Sequence, residues 1–188
     1  MIPNAGREDD SKDKRFWYAL YTRPRFESKV EQKLRDLNID SFLPTRLVTK
    51  YWSDRKKVVH EPLFPSYVFV FANCKERYLA YQPPGVVRFV SFNGQHARIP
   101  AEQIDAVKCI LGSGRSPVTQ PYFSRGDRVE IISGPLVGLR GFINECQGNN
   151  YFIVSIDGIR QSISIKIDAR ELKYIASNTV RTKELLCQ

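Results

Sequence analysis

The chain has 188 residues, of which 42% are hydrophobic and 12% aromatic, enough for one medium domain or two small ones with a buried core. Its 29 lysines and arginines exceed its 20 aspartates and glutamates, and the net charge of +9 favours a polyanionic partner, most simply nucleic acid. The four cysteines are scattered and no histidine lies at ligand spacing, which argues against zinc and against a disulfide framework. We expect no metal and no cofactor.

The N-terminal end contains no apolar run, so neither a signal peptide nor a membrane anchor is predicted. We therefore expect a soluble cytoplasmic protein from a reducing compartment, with residues 1–15 as a disordered tail. An aromatic strand follows at Phe16–Thr22. Apolar residues three and four apart then predict an amphipathic helix over Phe26–Leu37 that stops near Asn38.

The next part of the chain alternates strands and helices. A polar hairpin tip is predicted over residues 53–59. Strands are predicted at Ser41–Leu43, Leu47–Trp52, Phe64–Ala72 and Val86–Phe92, and helices at Glu76–Tyr81 and Ala101–Leu111. This order predicts an α+β sandwich over residues 16–112, in which helices flank an antiparallel sheet.

The composition changes after residue 112. Residues 113–122 have the composition of a linker, and residues 177–188 are expected to form a loose tail. Between them, clusters of Gly, Pro and Asn separate five short strands, Arg128–Ile132, Arg140–Glu145, Tyr151–Ile156, Ser162–Ile167 and Leu172–Ile175. Five short strands at this spacing predict a small five-stranded β-barrel over residues 123–176.

The stretch GDRVEIISGPLVGLRG, residues 126–141, contains four glycines and one proline. A phosphate-binding loop would need a Lys-Ser/Thr pair opening a helix, and a dinucleotide fingerprint would also lead into a helix. Here the strand-like FINE follows. We interpret Gly134-Pro135 as a turn, and Gly138 and Gly141 as sites of positive φ or close backbone approach. The alternative is an ordinary hairpin.

Aromatic residues are concentrated in the predicted strands of the first half. Alternation along Phe64–Ala72 puts Tyr67, Phe69 and Phe71 on one face of the strand and Val68 and Val70 on the other. Because both faces are apolar, we expect one to pack against helices and the other to form a groove for a partner. Packing within the core is the alternative for these side chains.

Basic residues follow the first strand and reappear at the hairpin tip, namely Arg23, Arg25, Lys29, Lys33, Arg35, Arg55, Lys56 and Lys57. They form either a solvated surface or a set of phosphate contacts, with Arg23 or Lys33 able to contact a base. The two histidines, His60 and His96, lie in different segments without a nucleophile, and no carboxylate pair has the spacing of a metal site. We therefore do not expect an enzyme.

Several of these segments together resemble a known family. WYALYT, LFPSYVFV, PPGVVRFVSFNG and IPAEQI resemble the N-terminal (NGN) domain of NusG, and the pattern G-D-x-V-x-I-x-x-G-P-x-x-G-x-x-G resembles the KOW motif. The resemblance implies an NGN domain over residues 16–112 and an SH3-like KOW barrel over residues 123–176. TRPRFESKV and SDRKKVVHEPLFPSYVFV resemble the specialised RfaH and UpxY members rather than a housekeeping NusG.

The resemblance implies a monomeric transcription elongation and antitermination factor that binds RNA polymerase, suppresses pausing and promotes transcription of specific long operons. It implies a gate-loop contact on the β subunit near Lys75–Tyr78. The implied groove for the β′ clamp helices comprises Tyr21, Phe64, Pro65, Tyr67, Phe69 and Phe89. Contacts with nucleic acid, the non-template DNA strand, are expected at Arg23, Arg25, Lys29 and Lys33. The alternatives are a general NusG-type factor and an RNA- or ribosome-binding KOW module.

In the barrel, the resemblance implies a partner surface for ribosomal protein NusE, while binding of Rho is not inferred. The motif and this surface comprise Gly126, Asp127, Val129, Gly134, Pro135, Leu136, Gly138, Leu139, Gly141 and Phe142, of which Leu136, Leu139 and Phe142 offer apolar contact. The many β-branched residues predict a constitutive barrel rather than a helical hairpin. The family's FPGY reads FPSY here, and Ser66 suits a tight strand entry unless its φ is positive.

Overall fold

The computed structural model describes residues 13–51, 56–124 and 126–176. Residues 1–12 of the predicted tail 1–15, the predicted tail 177–188, and the part of the predicted hairpin tip that includes Arg55 lie outside the described residues. The chain divides into two compact units, Met1–Ala101 and Glu102–Gln188. The first is mixed α/β and the second contains a larger antiparallel sheet, so the predicted α+β fold class is confirmed. The predicted domain boundary at Gly112 stays a prediction.

The first unit is built on a four-stranded antiparallel sheet with the order β2-β5-β1-β6. Two further two-stranded hairpins, β3–β4 and β7–β8, accompany it. The elements are β1 (Phe16–Thr22), α1 (Glu27–Asp36), β2 (Asp40–Phe42), β3 (Thr45–Tyr51), β4 (Lys56–Pro62), β5 (Tyr67–Ala72), α2 (Cys74–Leu79), β6 (Val86–Phe89), β7 (Ser91–Phe92) and β8 (Gln95–His96).

One face of the four-stranded sheet packs against α1. Val30 and Leu34 of the helix are fully buried, as their spacing predicts, and they share a core with side chains of β1, β5 and β6. The helix ends at Asp36, one residue before the predicted end, and Asn38, the predicted stop signal, has a φ of 55°. The N–H of Ile39 donates back to the carbonyl of Leu34 at 2.9 Å, which closes the last turn.

Several predictions in this unit were wrong in their boundaries. The strand predicted at Phe64–Ala72 begins at Tyr67, and the helix predicted at Glu76–Tyr81 is Cys74–Leu79. Residues 56–59, predicted as part of a hairpin tip, belong to β4, because every one of them pairs across the ribbon with β3. The predicted strand Val86–Phe92 is interrupted at Val90. Val90 donates to the carbonyl of Ala19 and accepts from the N–H of Ala97, so the chain leaves the sheet edge there and begins the β7–β8 hairpin.

The second unit contains α3 (Ala101–Gly112, whose first residue closes the first unit) and a six-stranded antiparallel sheet of order β14-β10-β11-β12-β13-β9. The five predicted strands are present. A sixth, β9, comes from the predicted linker and pairs with β13, whose outer backbone groups it satisfies. The strands are β9 (Val118–Pro121), β10 (Asp127–Ile131), β11 (Arg140–Cys146), β12 (Asn149–Ile156), β13 (Gln161–Ile167) and β14 (Leu172–Ala176).

The glycines of residues 126–141 have the structural roles predicted for them. Gly134 and Gly138 have φ angles of 80° and 87°, in the left-handed region that side chains avoid. Gly141 lies against β12, where an added Cβ would be 2.5 Å from the carbonyl oxygen of Ile153. The turn between Gly134 and Gly138 folds the side chain of Leu136 inward, so that only 2% of this residue is exposed. The glycines of the motif therefore serve the turn and the close contact between strands.

Candidate functional site

The face of the first sheet that points away from α1 is mainly aromatic. The register places Tyr21 opposite Tyr67 and Trp17 opposite Phe71, with ring centroids 5.5 Å and 5.3 Å apart. Between these pairs Phe69 contacts Phe64 edge-on and Phe42 face-on. We call this set the aromatic face: Trp17, Tyr21, Phe42, Phe64, Tyr67, Phe69 and Phe71.

Exposure across the aromatic face is graded. Phe64 and Phe69 are fully buried and form its floor. Tyr21 and Tyr67 are half-buried, and Pro65, in the turn before β5, is exposed. Burial raises the pKa of the Tyr67 hydroxyl, with a further increase from Tyr21 beside it. A neutral, partly covered ring at this position suits contact with an apolar partner.

The structure brings together five of the six predicted groove residues, but not Phe89. Phe89 pairs with Leu20, which faces α1, and is 1% exposed. Its ring packs edge-on against Tyr18 at 6.0 Å, on the opposite side of the sheet from Tyr67. Phe89 is a core residue because β6 pairs with β1 in the register that turns its side chain inward.

Arg88, the residue before Phe89, lies beside Tyr21 on the aromatic face, where the sequence analysis placed Phe89. Arg88 pairs with Tyr21, and its guanidinium lies 5.7 Å from the centre of that ring. Trp17 and Phe71 were also missing from the predicted groove, although alternation along β1 and β5 identifies both. Arg88 could be found only from the pairing register of β6, which local sequence does not supply.

The turn before β5 holds Ser66 at a φ of 66°. A positive φ is unfavourable for serine, so the FPSY turn is strained at this residue. Two contacts hold this turn. The Ser66 N–H donates to Oε1 of Glu27 at 2.7 Å, and the Thr22 N–H donates to the Ser66 carbonyl at 2.8 Å. Glu27 is only 5% exposed. It therefore fixes the segment between Pro65 and Tyr67, a positioning role that the sequence interpretation missed.

A basic loop, Arg23–Phe26, joins β1 to α1. The N–H of Arg23 donates to the carbonyl of Gly85 at 2.8 Å, and Gly85 lies so close to the Phe26 ring that a Cβ there would overlap it. The side chains of Arg23 and Arg25 are exposed, and neither forms an ion pair with a described residue. Lys29 lies 5.3 Å from the centre of the Phe26 ring.

Lys33, also predicted to contact nucleic acid, is in a different environment. Its ammonium lies 3.1 Å from the Asp36 carboxylate, on the exposed side of α1. Hydrogen bonds from Gln32 and Lys33 hold the pKa of Asp36 below its usual value, so this carboxylate is ionised at neutral pH. The available positive charge therefore lies on Arg23, Arg25 and Lys29 more than on Lys33.

Some residues of the predicted partner surface of the barrel are buried in the structure, and others are accessible. Val129 and Leu136 are buried in its core, so Leu136 cannot offer the predicted apolar contact. Leu139 and Phe142 are half-buried, while Pro135 is exposed. Asp127 is the first residue of β10, and an added Cβ on Gly126, just before it, would meet the carbonyl of Ile143. Two exposed apolar residues beside the turn were missed by the sequence interpretation: Ile132 and Val137.

Among residues 13–51, 56–124 and 126–176, no three His, Cys, Asp or Glu side chains are grouped so that they could hold a metal ion. None of the helices in the described part of the chain has the length and apolar character needed to span a bilayer. The best-defined constellation is the aromatic face with the basic loop beside it.

The chain has two units: an α/β unit with an aromatic surface, followed by a small β-rich unit. The family model described as "Transcription termination factor nusG" matches residues 15–108, which is half of the chain. The chain belongs to the NusG family.

Curated relatives extend the match into the second unit. The transcription termination/antitermination protein NusG of Thermus thermophilus is 27% identical over 149 residues, covering 69% of this chain and 81% of its own length. NusG of Lactococcus lactis is 24% identical over 173 residues, covering 85% and 92%. A solved structure, "Domain interaction in Thermotoga maritima NusG", is 25% identical, covers 87% of this chain and 98% of its own, and has a TM-score of 0.51.

Proposed function

We propose that the chain is a transcription elongation and antitermination factor that binds RNA polymerase through its aromatic face. Membership of a family of termination and antitermination proteins supports this proposal. The observation that carries it is the graded exposure of the face, with Phe64 and Phe69 as a rigid floor and Tyr21 and Tyr67 accessible above it. Apolar contact of this kind gives a long-lived complex, because affinity differences lie mainly in dissociation rates.

In this proposal the β′ clamp helices of polymerase lie across Tyr21, Pro65 and Tyr67. The β gate loop lies near Lys75–Tyr78, and the non-template DNA strand lies along the basic loop. Arg88 adds a cation at the margin of the face, where its contact with Tyr21 keeps the guanidinium in place. In the barrel, Leu139 and Phe142 are the residues left to contact NusE, since Leu136 is buried.

The decisive variant is Tyr67→Ala, which removes an accessible ring without emptying the floor. We expect it to weaken co-purification with core polymerase by at least about tenfold, as removal of a central interface aromatic does. The matched control is Tyr174→Ala, a tyrosine on β14 that is 58% exposed. If Tyr67→Ala binds polymerase as well as the control, the assignment of the face is wrong. Phe64→Ala is a poorer probe, because loss of a fully buried ring costs about 3–5 kcal/mol of stability.

We further propose that the factor acts on specific long operons rather than on all transcription. Arg23 and Arg25 are exposed and form no ion pair with a described residue. They support this proposal because they can contact DNA exposed on the polymerase surface. The test is a pausing assay with purified polymerase on a template carrying the candidate leader and on one without it. We expect the protein to suppress pausing only on the template with the leader. Arg23→Gln should lose this effect and Lys33→Gln should keep it. Equal suppression on both templates would indicate a general NusG-type factor.

A further inference from the structure

A cleft lies on the side of the first sheet opposite the aromatic face, between α2 and the β7–β8 hairpin. Its volume is about 660 Å³, and it is lined by Tyr18, Arg77, Gly94, Gln95, His96 and Arg98. Tyr18 belongs to the face that packs on α1, so the cleft is separate from the aromatic face. Its polar side chains are two guanidiniums, an amide, an imidazole and the phenol of Tyr18, and no carboxylate is among the lining residues.

The two arginines of the cleft are held by aromatic rings rather than by acidic groups. The Arg77 guanidinium lies 4.9 Å from the centre of the Tyr18 ring, and that of Arg98 lies 4.0 Å from the centre of Phe16. Within the described residues, the buried Nε of Arg77 has no hydrogen-bond partner. The neighbouring carboxylate, Glu76, is already occupied by Arg15 and by the Asn73 N–H. Both guanidiniums therefore keep charge available for an anion.

The β7–β8 hairpin supplies the opposite wall. Asn93 and Gly94 have φ angles of 50° and 78°, the conformation that a two-residue hairpin turn requires and that Asn-Gly favours. Ser91 Oγ lies 3.0 Å from Nδ1 of His96 and fixes that ring. Burial, together with the charge of Arg77, lowers the pKa of His96, so at neutral pH the imidazole is a neutral hydrogen-bonding group.

Two exposed aromatic rings neighbour residues that line the cleft or pack against it. Phe92 pairs with Gln95 across the hairpin and is 52% exposed. Tyr81 is 45% exposed and packs 5.1 Å from Phe89, whose ring lies 5.1 Å from His96. Large exposed rings beside a cationic cleft are the combination by which proteins bind single strands of nucleic acid, since bases stack on the rings while cations contact the backbone.

We propose that this cleft binds a nucleotide unit of single-stranded nucleic acid, with the phosphate between Arg77 and Arg98 and the base stacked on Phe92 or Tyr81. The planar guanidinium matches a phosphate with two parallel hydrogen bonds, which an ammonium cannot do. The cleft lies on the other side of the sheet from the aromatic face, while Arg77 also belongs to the segment Lys75–Tyr78 proposed to face the gate loop. Its test uses the full chain without polymerase, so failure of either proposal leaves the other standing.

The first experiment measures fluorescence anisotropy of labelled oligo-dT and oligo-U of about twelve nucleotides, within the usual site size for such surfaces. Arg98→Gln is expected to weaken binding about tenfold, and Arg98→Lys to weaken it less because the charge remains. The matched control is Arg35→Gln, an exposed arginine of α1 in the same unit, for which binding should change less than about twofold. Equal losses in Arg98→Gln and Arg35→Gln would overturn the site, because they would mean diffuse attraction to surface charge.

The second experiment distinguishes binding of the phosphate from binding of the base, and binding of a strand from binding of a free nucleotide. Titration with inorganic phosphate, uridine monophosphate and oligo-U is followed through the amide NMR signals of Gly94, Gln95 and His96. We expect chemical-shift changes with all three ligands and the highest affinity for the oligonucleotide. Phe92→Leu should weaken binding of the oligonucleotide but not binding of inorganic phosphate. Equal affinity for the monophosphate and the oligonucleotide would refute strand binding. Shifts confined to Arg23–Lys29 would refute the location.

Discussion

Two turns, one in each unit, hold strained backbone in opposite ways. In the first unit Ser66 takes a φ of 66° without being glycine, and a buried carboxylate 39 residues away in the chain holds it there. In the second unit Gly134 and Gly138 adopt positive φ with no side chain to resist it. The first turn leaves Pro65 and Tyr67 accessible, whereas the second folds Leu136 inward. The glycine-rich motif is thus architectural, and the less conspicuous turn shapes the candidate interface.

The largest effect is expected where the barrel motif meets β12. An alanine at Gly141 would place its Cβ 2.5 Å from the Ile153 carbonyl oxygen, which belongs to a paired strand and cannot move away. Gly141→Ala should therefore lower the free energy of unfolding by about 2–3 kcal/mol, measured by urea denaturation with barrel NMR signals as the probe. Gly138→Ala is the control, with open space around it and only backbone strain of about 1 kcal/mol. A cost for Gly141→Ala no greater than the control would show that strand contact does not explain this glycine.

The next effect tests the carboxylate that holds the Ser66 turn. Glu27→Ala leaves the buried Ser66 N–H without an acceptor, so we expect a loss of about 1–3 kcal/mol. Glu27→Gln keeps an acceptor oxygen and should lose less. The control is Glu31→Ala on the same helix, whose ion pair with Arg35 is worth about 0.5 kcal/mol or less. Thermal unfolding measures all three, and similar losses for Glu27→Ala and Glu31→Ala would contradict the positioning role.

A smaller effect is expected at Ser66 itself. Ser66→Gly removes about 1 kcal/mol of left-handed strain and adds a somewhat smaller entropy cost in the unfolded chain. The net gain in unfolding free energy should be about 0.5 kcal/mol or less, measured by chemical denaturation. Ser66→Ala keeps the positive φ and should not stabilise. If alanine stabilises as much as glycine does, strain is not what distinguishes this turn from the glycine-rich one.

The smallest effect concerns the short turn Ala169–Glu171, which supports the barrel motif because the carbonyl of Glu171 accepts from the N–H of Ile132 at 2.8 Å. Hydrogen bonds from the Arg170 side chain and backbone lower the pKa of Asp168 to about 2. Its stabilising contribution is therefore complete above the ordinary value of 3.8 and is lost as the pH falls toward 2. Carboxyl ¹³C NMR should show this midpoint, and Arg170→Gln should raise it. An unchanged midpoint in Arg170→Gln, matching the control Lys173→Gln, would exclude Arg170 as the cause.

Much of the fold could be predicted from local pattern. The strand Phe16–Thr22 was predicted with its observed bounds, and α1 within one residue at each end, because alternation and helical spacing depend only on neighbours along the chain. The strand β9 was missed because residues 113–122 have loop-like composition, and it forms only by pairing with β13. The Asn93-Gly94 dipeptide would have predicted the β7–β8 hairpin, since it favours that turn.

The sequence by itself determined which residues alternate on the two faces of β5 and where the glycines must stand, because steric limits and periodicity are local. Only the tertiary structure decided which face is covered, which rings form its floor, and that Arg88 rather than Phe89 lies beside Tyr21. Only tertiary structure, too, showed that Glu27 holds the turn at Ser66. The reason is physical: exposure and register arise from pairing between segments far apart in the chain, and no local pattern specifies which segments will meet.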